Sequence, residues 1–128
     1  MAMSLTRILL LLIASGGICL ISQSQAPANG YYVAIVRKGP NWTPEQTPEV
    51  VRSGQEHRQY LKELSARGVV LLAGPFTDNG EIRGIYVFKV PSAIEAKKLC
   101  DAAPLVKSGR LLVEVHPWQI TKAILTKD

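Results

Sequence analysis

Cysteine and histidine are scarce in this chain, and their scarcity excludes several classes of protein. Its 128 residues contain two cysteines, Cys19 and Cys100, and two histidines, His57 and His116. None of these residues has the spacing of a zinc site, and no phosphate-binding glycine loop or G-x-S-x-G motif occurs. The sequence therefore predicts no metal site and no cofactor.

A concentrated charge of one sign is also missing. The formal net charge is +5, and the basic residues are scattered, with Arg37-Lys38 and Lys97-Lys98 as the strong local pairs. A nucleic-acid-binding surface typically shows a basic stripe, whereas scattered charges are typical of a solvated surface. We therefore expect no nucleic-acid partner.

A long apolar run occurs once, near the N-terminus. Arg7 precedes an apolar segment over 8–21, and Ala26-Pro27-Ala28 fits a signal peptidase site. This pattern predicts a signal peptide over 1–28 and a mature domain over 29–128, which is exported to the periplasm or secreted and is free of the membrane after cleavage. The alternative is an uncleaved N-terminal anchor. A lipid anchor on Cys19 is disfavoured because Ile18 is bulky.

After cleavage only Cys100 remains, so no intramolecular disulfide can form. Its helical neighbours Ala96, Leu99 and Ala103 are apolar or small. We interpret Cys100 as a small buried hydrophobe and not as a nucleophile.

Apolar periodicity and turn residues predict six elements in the mature domain. Gly68 is expected to end the first helix, Ser92 and Glu95 form a capping box for the second, and Pro117 is expected to stop the last strand. The predicted strands cover 31–37, 69–73, 82–90 and 111–115, and the helices cover 49–67 and 92–103. This order predicts an α+β fold, a ferredoxin-like β-α-β-β-α-β sandwich with a four-stranded antiparallel sheet.

Both faces of the predicted sheet are apolar. In the first strand, alternate positions are Tyr31, Val33 and Ile35 on one face and Tyr32, Ala34 and Val36 on the other. An antiparallel sheet with a solvated face shows polar residues at alternate positions, so something must cover the second face. We predict a homodimer in which two sheets pack face to face.

His57 occupies a position where the first helix should be apolar. It shares a helical face with Val50, Gly54, Leu61 and Leu64. One interpretation is a core histidine with satisfied ring nitrogens; the other is a catalytic proton-transfer group.

A catalytic histidine needs an orienting partner. Asp101 is a weak candidate from its sequence position, and Glu114 on the last strand is an alternative. His116, beside Pro117, is interpreted as a surface or packing residue.

A ligand pocket is predicted around His57. Gly74, Pro75 and Phe76 follow the second strand, and Trp42 lies in a proline-rich loop that can cover a site. Aromatic side chains that could line such a pocket are Tyr31, Tyr32, Tyr86, Trp42 and Trp118, although aromatic residues in strands usually serve packing.

These residues also carry a resemblance to a known family. The order His57, Gly68, Ala73-Gly74-Pro75-Phe76, then 104–110 and 114–118, resembles the YciI-like (YCII-related) family over about 31–119. The resemblance implies a dimeric α/β-barrel fold and a cleft in which His57 is the catalytic residue, paired with an aspartate in an Asp-Pro step. It also implies lyase-type chemistry on small ring compounds in those members with an assigned reaction.

The chain departs from that pattern at one position. The Asp-Pro step of the family falls on Ala103-Pro104, so alanine occupies the place of the aspartate. Two functions follow: a lyase- or isomerase-type enzyme acting on an unknown small molecule, or a non-catalytic binding or structural dimer module that has lost this chemistry.

Overall fold

The computed structural model describes residues 30–121, so the predicted signal peptide and the residues after 121 lie outside the described part. Within it the chain forms β1 (Tyr31–Lys38), α1 (Pro48–Ala66), β2 (Val70–Pro75), β3 (Ile82–Lys89), α2 (Ala93–Asp101), α3 (Pro104–Lys107) and β4 (Leu111–Trp118). The strands form one sheet in the order β2-β3-β1-β4, and every neighbouring pair is antiparallel. This is the predicted ferredoxin-like α+β fold.

Helix α1 is bounded by the signals that the sequence contains. The Thr47 side chain accepts a hydrogen bond from the Val50 N–H, and Pro48 occupies the first turn, where its missing N–H costs nothing. Gly68, with a φ of 71°, adopts the left-handed conformation just after the helix. Among residues 30–121, no helix is long and apolar enough to span a membrane.

The hydrophobic core lies between the helices and one face of the sheet. Tyr32 and Phe88 contribute the largest fully buried side chains of the sheet, and Leu64 of α1 and Cys100 of α2 pack against them. Burial of Cys100 agrees with its interpretation as a core residue, and it raises the pKa of the thiol to about 12.

Three element ends differ from the sequence prediction by more than one residue. β4 continues through Pro117 to Trp118. β4 is an edge strand, and a proline is tolerated there because its nitrogen, which carries no hydrogen, can lie on the side that has no neighbouring strand. α2 ends at Asp101 and not at residue 103, because Pro104 starts the short helix α3. β2 runs to Pro75, which pairs with Gly84 in β3.

The second face of the sheet is not covered by the helices. Val33 pairs across this face with Val87 and His116, and Ile35 pairs with Ile85 and Glu114. We call this surface, which carries alternate residues of all four strands, the outer face. The outer face is mostly apolar. Its polar part is centred on the Glu114 carboxylate, which lies 2.8 Å from His116 Nε2 and 3.7 Å from Arg37 Nη2.

Candidate functional site

A cavity of about 770 Å³ opens between α1, the paired ends of β2 and β3, and the loop that carries Trp42. A cavity of this size can hold a small organic molecule. Its lining is largely apolar, with contributions from Leu61, Leu105 and Leu111, and it includes both His57 and Tyr86. These two side chains are the buried titratable groups of the lining.

His57 and Tyr86 are joined by a direct hydrogen bond. The distance from His57 Nε2 to Tyr86 Oη is 2.8 Å, and the exposed fractions of the two residues are 6% and 5%. Phe88 packs edge-on against the Tyr86 ring with centroids 6.2 Å apart, which holds the phenol in place. The other ring nitrogen, Nδ1 of His57, is buried and has no partner among the described residues.

Burial keeps both members of this pair neutral at pH 7. Desolvation, with a smaller contribution from the positive charge of Arg58, lowers the pKa of His57 to about 4. Desolvation, with a smaller contribution from Cys100, raises the pKa of Tyr86. With the proton on Nδ1, the Tyr86 O–H donates to Nε2; in the other tautomer, Nε2–H donates to Oη.

The lowered pKa of His57 predicts a loss of stability in mild acid. Between about pH 6.5 and pH 4 the unfolded imidazole binds a proton that the folded one does not, so the free energy of unfolding falls as the pH falls through this window. A shift of this size corresponds to a loss of about 3 kcal/mol by pH 4. Urea unfolding at pH 7 and pH 4.5, at one fixed protein concentration, measures it.

The matched variants for this measurement are His57→Gln and His116→Gln. His57→Gln should lack this part of the acid sensitivity, because its side chain does not titrate. His116→Gln should retain it, because His116 is half exposed and lies on the outer face. Equal acid sensitivity in His57→Gln and the unmodified protein would contradict the lowered pKa.

The Trp42 loop is held firmly against the start of β4. Asn41 donates from its backbone N–H to the Gly109 carbonyl and from Nδ2 to the Ser108 carbonyl. Arg110 is 7% exposed and donates to both the hydroxyl and the carbonyl oxygen of Thr43. These contacts place the indole of Trp42 at the cavity wall.

The structure brings together some of the residues predicted for the site. Trp42, Gly74 and Pro75 line the cavity with His57. Phe76 does not line it and is 42% exposed, because it follows the last paired residue of β2. Of the aromatic residues proposed for a pocket, Tyr86 and Trp42 line the cavity, whereas Tyr32 is in the core and Tyr31 and Trp118 lie on the outer face.

The two carboxylates considered as orienting partners lie elsewhere. Asp101 is half exposed at the end of α2 and pairs with Lys97 one helical turn earlier. Glu114 points to the outer face, on the other side of the sheet from α1. Neither is placed to orient His57, and Tyr86 is the residue that contacts its ring. Among residues 30–121, no three side chains of the metal-ligating types His, Cys, Asp and Glu gather into a site for a metal ion.

The sequence predicted Tyr86 as one of the aromatic residues that could line the pocket, but it did not predict Tyr86 as the partner of His57. The signal was present, since alternation along β3 puts Tyr86 and Phe88 on the same face, and the core packs against that face. Alternation alone does not say which residue of β3 faces His57. That depends on where α1 crosses the sheet.

Comparison with known protein families shows which family this chain belongs to. The sequence profile described as the YCII-related domain matches residues 31–119. The chain belongs to the YCII-related domain family. No curated protein matches this YCII-related chain.

Two solved structures are similar to this YCII-related protein in fold. One is 5-chloro-2-hydroxyhydroquinone dehydrochlorinase from Burkholderia phenoliruptrix AC1100 in complex with 2,5-dihydroxybenzoquinone, with a TM-score of 0.53 and 18% identity, covering 70% of this chain and 93% of the other. The second is muconolactone isomerase, with a TM-score of 0.56 and 15% identity, covering 77% of this chain and 98% of the other. At these identities the likeness shows the fold, that of the dimeric α/β-barrel proteins.

In this YCII-related protein, Ala103 occupies the position at which the family resemblance implies an aspartate. Ala103 is 1% exposed and lies just before α3, which packs against α1. It makes no side-chain hydrogen bond at the start of α3. Alanine offers no hydrogen-bond acceptor at this position, and Nδ1 of His57 has no partner among the described residues.

Proposed function

We propose that this protein is an exported, dimeric enzyme that moves a proton on a small cyclic organic compound bound in the His57 cavity. The observation that carries the proposal is the 2.8 Å contact between His57 Nε2 and Tyr86 Oη on the wall of a largely apolar cavity. A paired imidazole and phenol on the wall of a largely apolar cavity form a proton-transfer unit that a structural core does not need.

The pair acts as a relay. Tyr86 Oη takes a proton from an acidic C–H of the substrate as its own proton passes to His57 Nε2, and the electron pair of the C–H bond moves into the substrate. Return of the proton at a second carbon completes an isomerisation, and departure of a leaving group completes an elimination. The positive charge that forms on His57 requires stabilisation, because burial disfavours it.

The similar structures support this reaction class. One is a dehydrochlorinase of a chlorinated hydroxyhydroquinone, and the other is an isomerase of muconolactone. Both names describe elimination or isomerisation of a small ring compound. The apolar lining of the cavity in this chain suits a substrate of the same type.

Proton abstraction can be tested before the substrate is known. The purified protein is incubated in D₂O with a panel of cyclic enols, lactones and hydroxyquinones, and deuterium incorporation at carbon is followed by NMR. We expect faster exchange than in buffer for at least one ring compound that binds. Binding without any exchange across the panel would contradict the proposed enzyme.

A non-catalytic binding module is the second proposed function. It is favoured by Ala103 in place of the family aspartate and by Nδ1 of His57, which has no partner in the described chain. A histidine without an orienting carboxylate is a weaker base. The exchange measurement separates the two functions, because a binding module would show saturable binding and no incorporation of deuterium.

A further inference from the structure

The charged groups of the cavity are all of one sign. Arg58, Lys62 and Arg83 line it, and no aspartate or glutamate among residues 30–121 does. Basic and acidic residues are otherwise mixed on this chain, and within the described residues four ion pairs and one contact between His116 and Glu114 connect them. None of these five contacts involves Arg58, Lys62 or Arg83, so no carboxylate of the described residues pairs with these cations.

A second cavity of about 260 Å³ extends the positive region. It is lined by Trp42, Gly54 and Arg58, which also line the first cavity, and by the buried Arg110. No carboxylate of the described part of the chain lines this second cavity either. Arg58 therefore faces both cavities, and the positive charge is concentrated at the end of the site that Trp42 borders.

Trp42 lies within cation–π distance of three basic side chains at this end of the site. The guanidinium carbons of Arg83 and Arg110 lie 5.0 Å and 4.6 Å from the centre of its ring, and Lys38 Nζ lies at 5.6 Å. The indole holds like charges close together by cation–π attraction, where they would otherwise repel. Arg83 is further held by a hydrogen bond from Nη1 to the Gly80 carbonyl.

We propose that the cavity selects a ring compound that carries a carboxylate, with Arg58 and Arg83 binding the carboxylate at the Trp42 end and the ring lying on the apolar wall near Tyr86. This inference rests on the proposed function and names its substrate class. The guanidinium group offers paired N–H donors that match the two oxygens of a carboxylate. Leu61 and Leu105 supply the apolar surface that a ring needs.

An anion bound there would also assist the proton relay. Arg58 contributes to the low pKa of His57, so a carboxylate bound to Arg58 offsets that contribution and raises the pKa. Proton transfer to His57 would then be favoured when the anionic substrate is bound and disfavoured in its absence.

The test compares benzoate with benzamide, which has nearly the same shape and no charge. Affinity is measured by calorimetry at pH 7 and low salt, with the unmodified protein, Arg58→Gln, Arg83→Gln and Arg52→Gln. Arg52 lies on the same helix, has an exposed side chain and pairs with Glu56, so it is the matched control. We expect benzoate to bind about tenfold more tightly than benzamide, which is the difference in affinity expected for one hydrogen bond to a charged group.

Arg58→Gln and Arg83→Gln should each weaken benzoate binding about tenfold and leave benzamide binding unchanged. Arg52→Gln should change neither. Equal affinities for the two probes, no binding of benzoate at millimolar concentration, or equal losses in all three variants would overturn the proposal. Selective benzoate binding without deuterium exchange on any anion contradicts the enzyme alone, whereas exchange without anion preference contradicts this inference alone.

Discussion

Replacing His57 by glutamine is expected to lower the rate of deuterium exchange by roughly 10²–10⁴-fold, the contribution of a general base. Glutamine can still hydrogen-bond to Tyr86 but cannot accept its proton at neutral pH. The exchange rate is measured at saturating ring compound, so that a change in binding does not contribute. A higher KM with an unchanged maximal rate would show that His57 contributes to binding only.

Tyr86→Phe and Asp101→Asn complete this experiment. Tyr86→Phe removes the hydroxyl that contacts His57 and should lower the maximal rate and shift the pH profile, while its ring still packs against Phe88. Asp101→Asn is the control, because Asp101 pairs with Lys97 away from the cavity. A loss of activity in Asp101→Asn as large as in His57→Gln would show that the relay is not the active group.

Placing a charge on the outer face is expected to separate the proposed dimer. Leu112 of β4 is 52% exposed on this face, so Leu112→Glu should fold, yet a buried dimer contact would force its carboxylate out of water. Such a desolvated charge costs several kcal/mol, so the dimer dissociation constant should rise roughly 100-fold or more. Native mass spectrometry over a dilution series measures it.

The control is Ile94→Glu on α2, which makes the same kind of change at a residue that is 69% exposed. It should remain as dimeric as the unmodified protein. The unmodified protein, recovered from the exported fraction, should have twice the mass of residues 29–128, which also tests the predicted signal peptide. A monomer of the unmodified protein at micromolar concentration would contradict the covered outer face.

The elements of this fold could be predicted from local sequence because side-chain direction follows from backbone geometry. Alternation along β1 and the helical spacing around His57 each need only neighbouring residues. The end of β4 could not be predicted that way. Whether Pro117 stops a strand depends on whether that strand lies at the edge of the sheet, and strand order is a tertiary property.

The features of the candidate site also fall into those that the sequence predicts and those that depend on the tertiary structure. The sequence by itself determined that His57 turns inward from α1, because its position within the apolar stripe is a property of one helix. Only the tertiary structure decided that its partner is Tyr86, 29 residues away, and that Asp101 and Glu114 are elsewhere. Contacts between elements depend on strand register and helix packing, and short-range periodicity carries no information about either.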